Sequence, residues 1–257
     1  MENKTIYPTE EVTLPSKGLV YPLDNPLSKG IVEMKYMTAK EEDILTNESY
    51  IKKGIVIDKL LKSLIVSPIN YDDLILGDKN AILIASRVLG YGKEYTFKYP
   101  NTRGEDEYHT IDLTEIKDKE LDPKYLIEAH KNEFSFTLPV LKKELTFKLL
   151  THGDERKISA ELEGLKKINK EGSPELTTRL KYLIQSIDGD TDKKNIRDFI
   201  DNQLLARDAR ALREYLNLVQ PDVDMAFDLE DSYGETQRGV RVPIGITFLW
   251  PDFDRQN

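Results

Sequence analysis

The chain reads as an α+β protein in which helical segments alternate with two small β-hairpin units. Three observations carry that reading. Apolar residues recur at helical spacing, as in Leu204, Leu205, Ala209, Leu212, Leu216 and Val219. Elsewhere the pattern changes to strand and turn: Tyr95, Phe97 and Tyr99 alternate with polar residues before Asn101–Gly104, and a second hairpin surrounds Gly234 and Gly239. Finally, 39% hydrophobic and 32% charged residues in 257 are enough for one large or two small cores.

Residues 1–30 carry Pro8, Pro15, Pro22 and Pro26 with few helix signals, which predicts an extended arm. Such an arm lies either on a partner or on its own domain. A helical region over 31–93 opens with a strand, Ile31–Met37, followed by Thr38 and Glu41 as a capping box for a helix through Leu45. Ile55, Leu60 and Leu64 predict a second helix ending before Pro68. Asp78 is the expected N-cap of a third, which carries Ile82, Ala85 and Leu89, turns Arg87 to solvent and stops at Gly90 and Gly92.

A small β unit over 94–151 contains the first hairpin, returning through Tyr108–Leu113, and a second pair, Phe134–Leu138 with Leu145–Leu150. A second helical region, 152–220, holds helices at Asp154–Ile168 and Pro174–Ile187, the latter with Ser173 as N-cap and Pro174 in the first helical position. Thr191 caps another, carrying Ile196, Phe199 and Ile200. The helix Gln203–Val219 then ends at Pro221, because the residue before a proline is pushed out of the α region. The last unit, 221–257, reads as a strand Met225–Leu229, a polar loop Glu230–Arg238 and a returning strand Val240–Leu249.

Composition narrows the function. A net charge of −9 argues against binding a phosphate backbone. No stretch approaches the roughly 18 apolar residues of a membrane span, and Met1–Lys17 lacks the apolar core of a secretory signal. With no cysteine there is no disulfide, thiolate nucleophile or Cys-ligated metal. Neither a nucleophile elbow nor a phosphate-binding glycine loop is present. Asp188, Asp190 and Asp192 have the opening spacing of a calcium loop, but Lys193 and Phe199 occupy the places that need glycine and a bidentate glutamate, so a helix-capping turn is expected. His109, His130 and His152 are isolated and read as surface or strand-end residues. Arg207, Asp208, Arg210, Arg213 and Glu214 alternate in sign as on a solvated helix face. The expectation is an interaction protein with no catalytic, cofactor or metal residues.

A set of stretches, in order along most of the chain, points to one family. These are Leu14-Pro15-Ser16-Lys17-Gly18, Met37 through Leu45, Gly77-Asp78-Lys79-Asn80 and Arg87-Val88-Leu89-Gly90-Tyr91-Gly92. Asp208 through Tyr215, Pro221-Asp222-Val223-Asp224, Val242-Pro243-Ile244 and Phe248-Leu249-Trp250-Pro251-Asp252 complete the set. Together they resemble the baseplate hub assembly proteins of T-even-like contractile-tailed bacteriophages, a family that includes tail-assembly chaperones. In many of those proteins the two polar hairpins carry Cys-x-x-Cys pairs that hold zinc. Here the tips read Tyr99–Gly104 and Glu230–Gly234 without a thiolate, so the resemblance implies degenerate zinc-ribbon-like hairpins held by packing.

The resemblance also implies partners: other phage baseplate hub or tail proteins, met in the host cytoplasm during assembly. Two roles follow, a chaperone for hub or tape-measure components and a structural hub subunit retained in the virion. The apolar ending Phe248, Leu249, Trp250 and Phe253 is the expected docking surface, with Arg210 and Arg213 beside it. Trp250 is open to either an interface or a core role.

Overall fold

A computed structural model describes residues 8–168 and 174–250. In chain order the elements are β1 (Thr9–Thr13), β2 (Ile31–Lys35), α1 (Ala39–Leu45), α2 (Glu48–Lys52), α3 (Val56–Leu64) and α4 (Leu76–Tyr91). The β-rich middle follows with β3 (Glu94–Pro100), β4 (Asp106–Asp112), β5 (Lys117–Lys119), β6 (Phe134–Thr137) and β7 (Glu144–Phe147). The last part comprises α5 (His152–Ile168), α6 (Glu175–Leu183), β8 (Ile184–Ile187), α7 (Lys193–Asn202) and α8 (Ala206–Val219). It ends with β9 (Asp222–Asp224), β10 (Ala226–Glu230), β11 (Thr236–Arg241) and α9 (Ile246–Leu249). The fold is α+β, with small antiparallel sheets: β1–β2, β3–β4, β5–β9, β6–β7–β8 and β10–β11.

One hydrophobic core runs through these pieces, with α4 at its centre. Ile82, Leu83 and Ile84 of α4 are buried alongside Leu60, Leu61 and Leu64 of α3, Phe134 and Phe147 of the three-stranded sheet, and Phe248 of α9. The first hairpin obeys the strand period: Tyr95 and Phe97 face the core, while Thr96 and Lys98 are exposed. The capping-box expectation holds in part, since Glu41 reaches back to accept the Thr38 amide at 3.1 Å.

The extended arm is corrected over its described part. β1 pairs along its whole length with β2, and Leu14, Val20, Tyr21 and Leu27 are buried. Backbone bonds from Leu14 to Gly30 and from Leu121 to Pro15 stitch this stretch into the body. The prolines interrupt any long α-helix there, Pro26 opening only a single 3-10 turn at Pro26–Lys29, but leave the apolar residues between them free to enter the core.

Further boundaries differ for identifiable reasons. Asp78 lies inside α4, whose N-cap is Ile75, and Arg87 is 4% exposed rather than turned to solvent. Its guanidinium donates to the carbonyls of Gly92 and Glu94, both at 2.9 Å, and lies over the Tyr91 and Tyr95 rings. The helical pattern expected through Ile187 breaks at Leu183, where Ile184–Ile187 leaves to become the third strand beside β7. Pro174 is the N-cap of α6, and Ser173 lies outside the described residues. Asp192, not Thr191, caps α7, its carboxylate accepting the amides of Lys194 and Asn195. The helix expected from Gln203 starts at Ala206, because Gln203 closes α7. In the last unit the returning strand is Thr236–Arg241, and Ile246–Leu249 is a helical turn rather than strand.

Candidate interaction surfaces

The apolar ending folds into the chain's own core. Phe248 and Leu249 are fully buried, and the Phe248 ring meets the Tyr95 ring edge-on at 4.9 Å. The Tyr95 hydroxyl donates to the Pro243 carbonyl at 3.1 Å, which fastens the C-terminal segment to the first hairpin. Trp250 packs half-buried against the same core. Phe253 lies outside the described residues. Phe248 and Leu249 therefore hold the fold and offer no docking surface. Arg210 is exposed and pairs with Glu214 at 2.8 Å along α8, while Arg213 lines a separate groove. Asp208, expected on the solvated face, is fully buried and accepts the amides of Val140 at 2.7 Å and Leu141 at 3.1 Å.

The two hairpin tips, more than a hundred residues apart, meet and are built alike. In the first, the Asn101 side-chain oxygen accepts the amides of Arg103 at 3.0 Å and Glu105 at 2.9 Å. In the second, Asp231 accepts those of Tyr233 and Glu235, both at 2.9 Å. Each turn is closed by a glycine of positive φ, Gly104 at 81° and Gly234 at 76°, a region costly for any residue with a Cβ. The second Asp231 oxygen bridges the tips, accepting the Thr102 amide at 3.1 Å and its hydroxyl at 2.6 Å. Ser232 and Tyr233 donate their hydroxyls to Glu107 and Glu105, both at 2.9 Å, and the Arg103 guanidinium stacks 3.5 Å from the Tyr233 ring centre. The Thr102 hydrogen bond is the main reason that the Asp231 carboxyl falls to about 2.

A second polar group gathers where α3, α4 and α5 meet. Asp58 accepts from Lys79 at 2.7 Å and from the Tyr71 hydroxyl at 3.0 Å. His152, buried rather than on the surface as expected, lies between Lys79, 3.3 Å from its Nδ1, and Asp58, 3.5 Å from its Nε2. Burial, aided by Lys79, pushes the imidazole below its usual range and favours the neutral ring. An Asp–His pair resembles the base half of a catalytic triad, but no hydroxyl bonds to His152 among the described residues, and the lysine occupies the other ring nitrogen. The group ties three helices together. His109 is likewise buried, on β4 of the first hairpin opposite Phe97.

Among the described residues no cluster of three or more His, Asp or Glu is arranged to hold a metal ion, and no helix is long and apolar enough to cross a membrane. In comparisons with known proteins, no family model, curated protein or solved structure matches this chain.

Three of the stretches that carried the family resemblance meet at the start of α4. The Ser16 amide and hydroxyl donate to Asp78 at 2.9 and 2.6 Å, and the Tyr21 hydroxyl does so at 2.6 Å. Asn80 donates to Asp222 at 2.9 Å. Gly77 lies against the Pro221 carbonyl so closely that a Cβ built there would be 1.9 Å from its oxygen. Sequence spacing could not reveal this meeting, since the segments are separated by up to two hundred residues.

Proposed function

We propose that this chain is a non-enzymatic assembly protein of a contractile-tail baseplate hub, acting as a chaperone for hub or tape-measure components. The observation that carries the proposal is the convergence of the two hairpin tips. In many proteins of the resembled family the two hairpins bear Cys-x-x-Cys pairs that hold zinc, and four thiolates on one tetrahedral ion would bring two such tips together. Here the tips touch through Asp231 and Thr102, while Asn101 and Asp231 each accept two amides of their own turn. The unit is a degenerate zinc ribbon in which hydrogen bonds between the tips replace the metal. The meeting of several family-like stretches around the start of α4 supports the same reading.

The test is a phage in which this gene is deleted and then complemented. Tails that lack a baseplate hub, restored by the intact gene, are expected; normal baseplates from the deletion would overturn the proposal. Mass spectrometry of purified virions then separates the roles. The chaperone is absent from mature particles, whereas a retained subunit is present in fixed stoichiometry.

A further inference from the structure

An apolar groove opens between α6 and α8. Leu180 and Leu183 of α6, Leu216 of α8 and Leu150 line a space of about 250 Å³, and Leu176 stands at its lip, 41% exposed. A cavity of roughly 150 Å³ already admits benzene, so this one takes a large aliphatic or aromatic side chain.

The two arginines at the rim differ. Arg179 is saturated, held by Glu155 at 2.5 Å and Glu175 at 3.3 Å. Arg213 has no carboxylate partner among the described residues, and its Nε donates only to the Ala209 carbonyl at 3.3 Å. Asn217 follows one turn on along α8, and Gln220, which caps the helix, lines the same groove. That spacing makes a row of polar side chains roughly 10 Å long beside the leucine slot. In a protein of net charge −9, the row presents a local cation next to an apolar hole.

We propose that this groove binds a short segment of a partner protein through one large apolar side chain seated among the leucines and one carboxylate paired with Arg213. A guanidinium matches a carboxylate with two parallel hydrogen bonds, which sets the sign of the partner. Among the described residues no acidic side chain lines the groove, so of its two rim arginines Arg213 is the one left to pair with the partner's carboxylate. Asn217 and Gln220 supply amides for the bound backbone. Only the identity of the partner as a hub protein rests on the assembly reading above; the groove's chemistry rests on its own residues.

The experiment uses the full-length protein and fluorescently labelled peptides with Leu or Phe fixed at the centre and Glu fixed four residues away. A control set is identical except for Lys in place of Glu. Anisotropy titrations are expected to show the acidic set binding at least about tenfold more tightly than the basic set, a difference of roughly 1.4 kcal/mol. Arg213→Gln removes that preference, and Leu176→Glu weakens both sets; both positions are exposed, so melting curves stay unchanged. Absent binding, equal binding of the two sets, or an Arg213→Gln variant that keeps the preference overturns the proposal. So does a concentration-dependent dimer abolished by Leu176→Glu, which assigns the groove to a second copy of this chain. A deletion phage with normal baseplates overturns the assembly reading alone and leaves the peptide result standing.

Discussion

Two carboxylates in this chain make nearly the same bonds and titrate in opposite directions. Asp78 accepts the amide and hydroxyl of Ser16; Asp231 accepts the amide and hydroxyl of Thr102. Each ties together segments far apart in sequence. Asp78 lies deep in the core beneath Tyr21, and burial lifts its carboxyl to about 6 despite its three donors. Asp231 is covered by the two hairpin tips alone, with Thr102, Arg103 and Ser232 exposed around it, and hydrogen bonding takes its carboxyl down to about 2. The shared amide-and-hydroxyl pair therefore does not set the pKa, and Asp231 gains two further turn amides where Asp78 has the Tyr21 hydroxyl. The depth of protein around the group decides whether desolvation or hydrogen bonding wins.

The largest effect belongs to the buried joint. Asp78→Ala leaves the Ser16 and Tyr21 donors without their acceptor in the core, which costs about 3 kcal/mol or more in unfolding free energy. Urea melts read it directly. Asp78→Asn keeps an acceptor and removes the charge, so it separates bonding from titration. A folded pKa raised to about 6 adds stability that is fully present below the unfolded value, near 3.9, and lost as pH rises through 6. The shift of roughly two units corresponds to about 3 kcal/mol. The wild type minus Asp78→Asn difference should therefore fall by about that much between pH 4 and pH 7. A flat difference breaks the contrast with Asp231.

A smaller loss is expected next to Asp78. Gly77→Ala, in the first turn of α4, would ordinarily stabilise by about 0.4–1 kcal/mol by restricting the unfolded chain. Here the new Cβ points into the Pro221 backbone, which cannot swing aside as a flexible side chain would. The expected result is a net destabilisation of about 1–3 kcal/mol, measured by the same melts. An alanine that stabilises would show that the contact between α4 and the Pro221–Asp222 step is loose.

These two joints also mark what the sequence could and could not say. Alternation placed the first hairpin because Tyr95 and Phe97 face a core while their neighbours face water. The β5–β9 pair was invisible: Lys117–Lys119 and Asp222–Asp224 are three residues long, carry no apolar period and are joined across most of the molecule. Arg87 and Asp208 were placed outside because charged residues are usually exposed. Their burial is compensated by backbone groups, the Gly92 and Glu94 carbonyls for one and the Val140 and Leu141 amides for the other, and backbone partners leave no trace in residue type. Of the expected docking residues, Phe248 and Leu249 show only that a terminal apolar cluster must be covered; a sequence cannot say by what. The groove was missed for the complementary reason, since Leu180, Leu183 and Leu216 read as ordinary core positions.

The joint at the hairpin tips should respond locally and weakly. Removing its carboxylate in Asp231→Ala frees the amides of Thr102, Tyr233 and Glu235, so their hydrogen exchange should quicken. Those of Arg103 and Glu105, held by Asn101, keep their protection and serve as the internal control. Core amides are unaffected and the melting temperature is nearly unchanged. Asp231→Asn sharpens the distinction, because an amide oxygen can still accept within the turn, as Asn101 does, while its NH2 group cannot accept from Thr102. That variant should lose protection at Thr102 and keep it at Tyr233 and Glu235. Acid does the same to the wild type: a carboxyl lowered to about 2 contributes stability above its unfolded value near 3.9 and loses it as pH falls through 2. The tips should therefore part between about pH 4 and pH 2, in the direction opposite to the Asp78 contribution. If exchange at Thr102 is insensitive to both the substitution and acid, the tips are not joined by Asp231, and the hydrogen-bonded replacement for a zinc site fails with them.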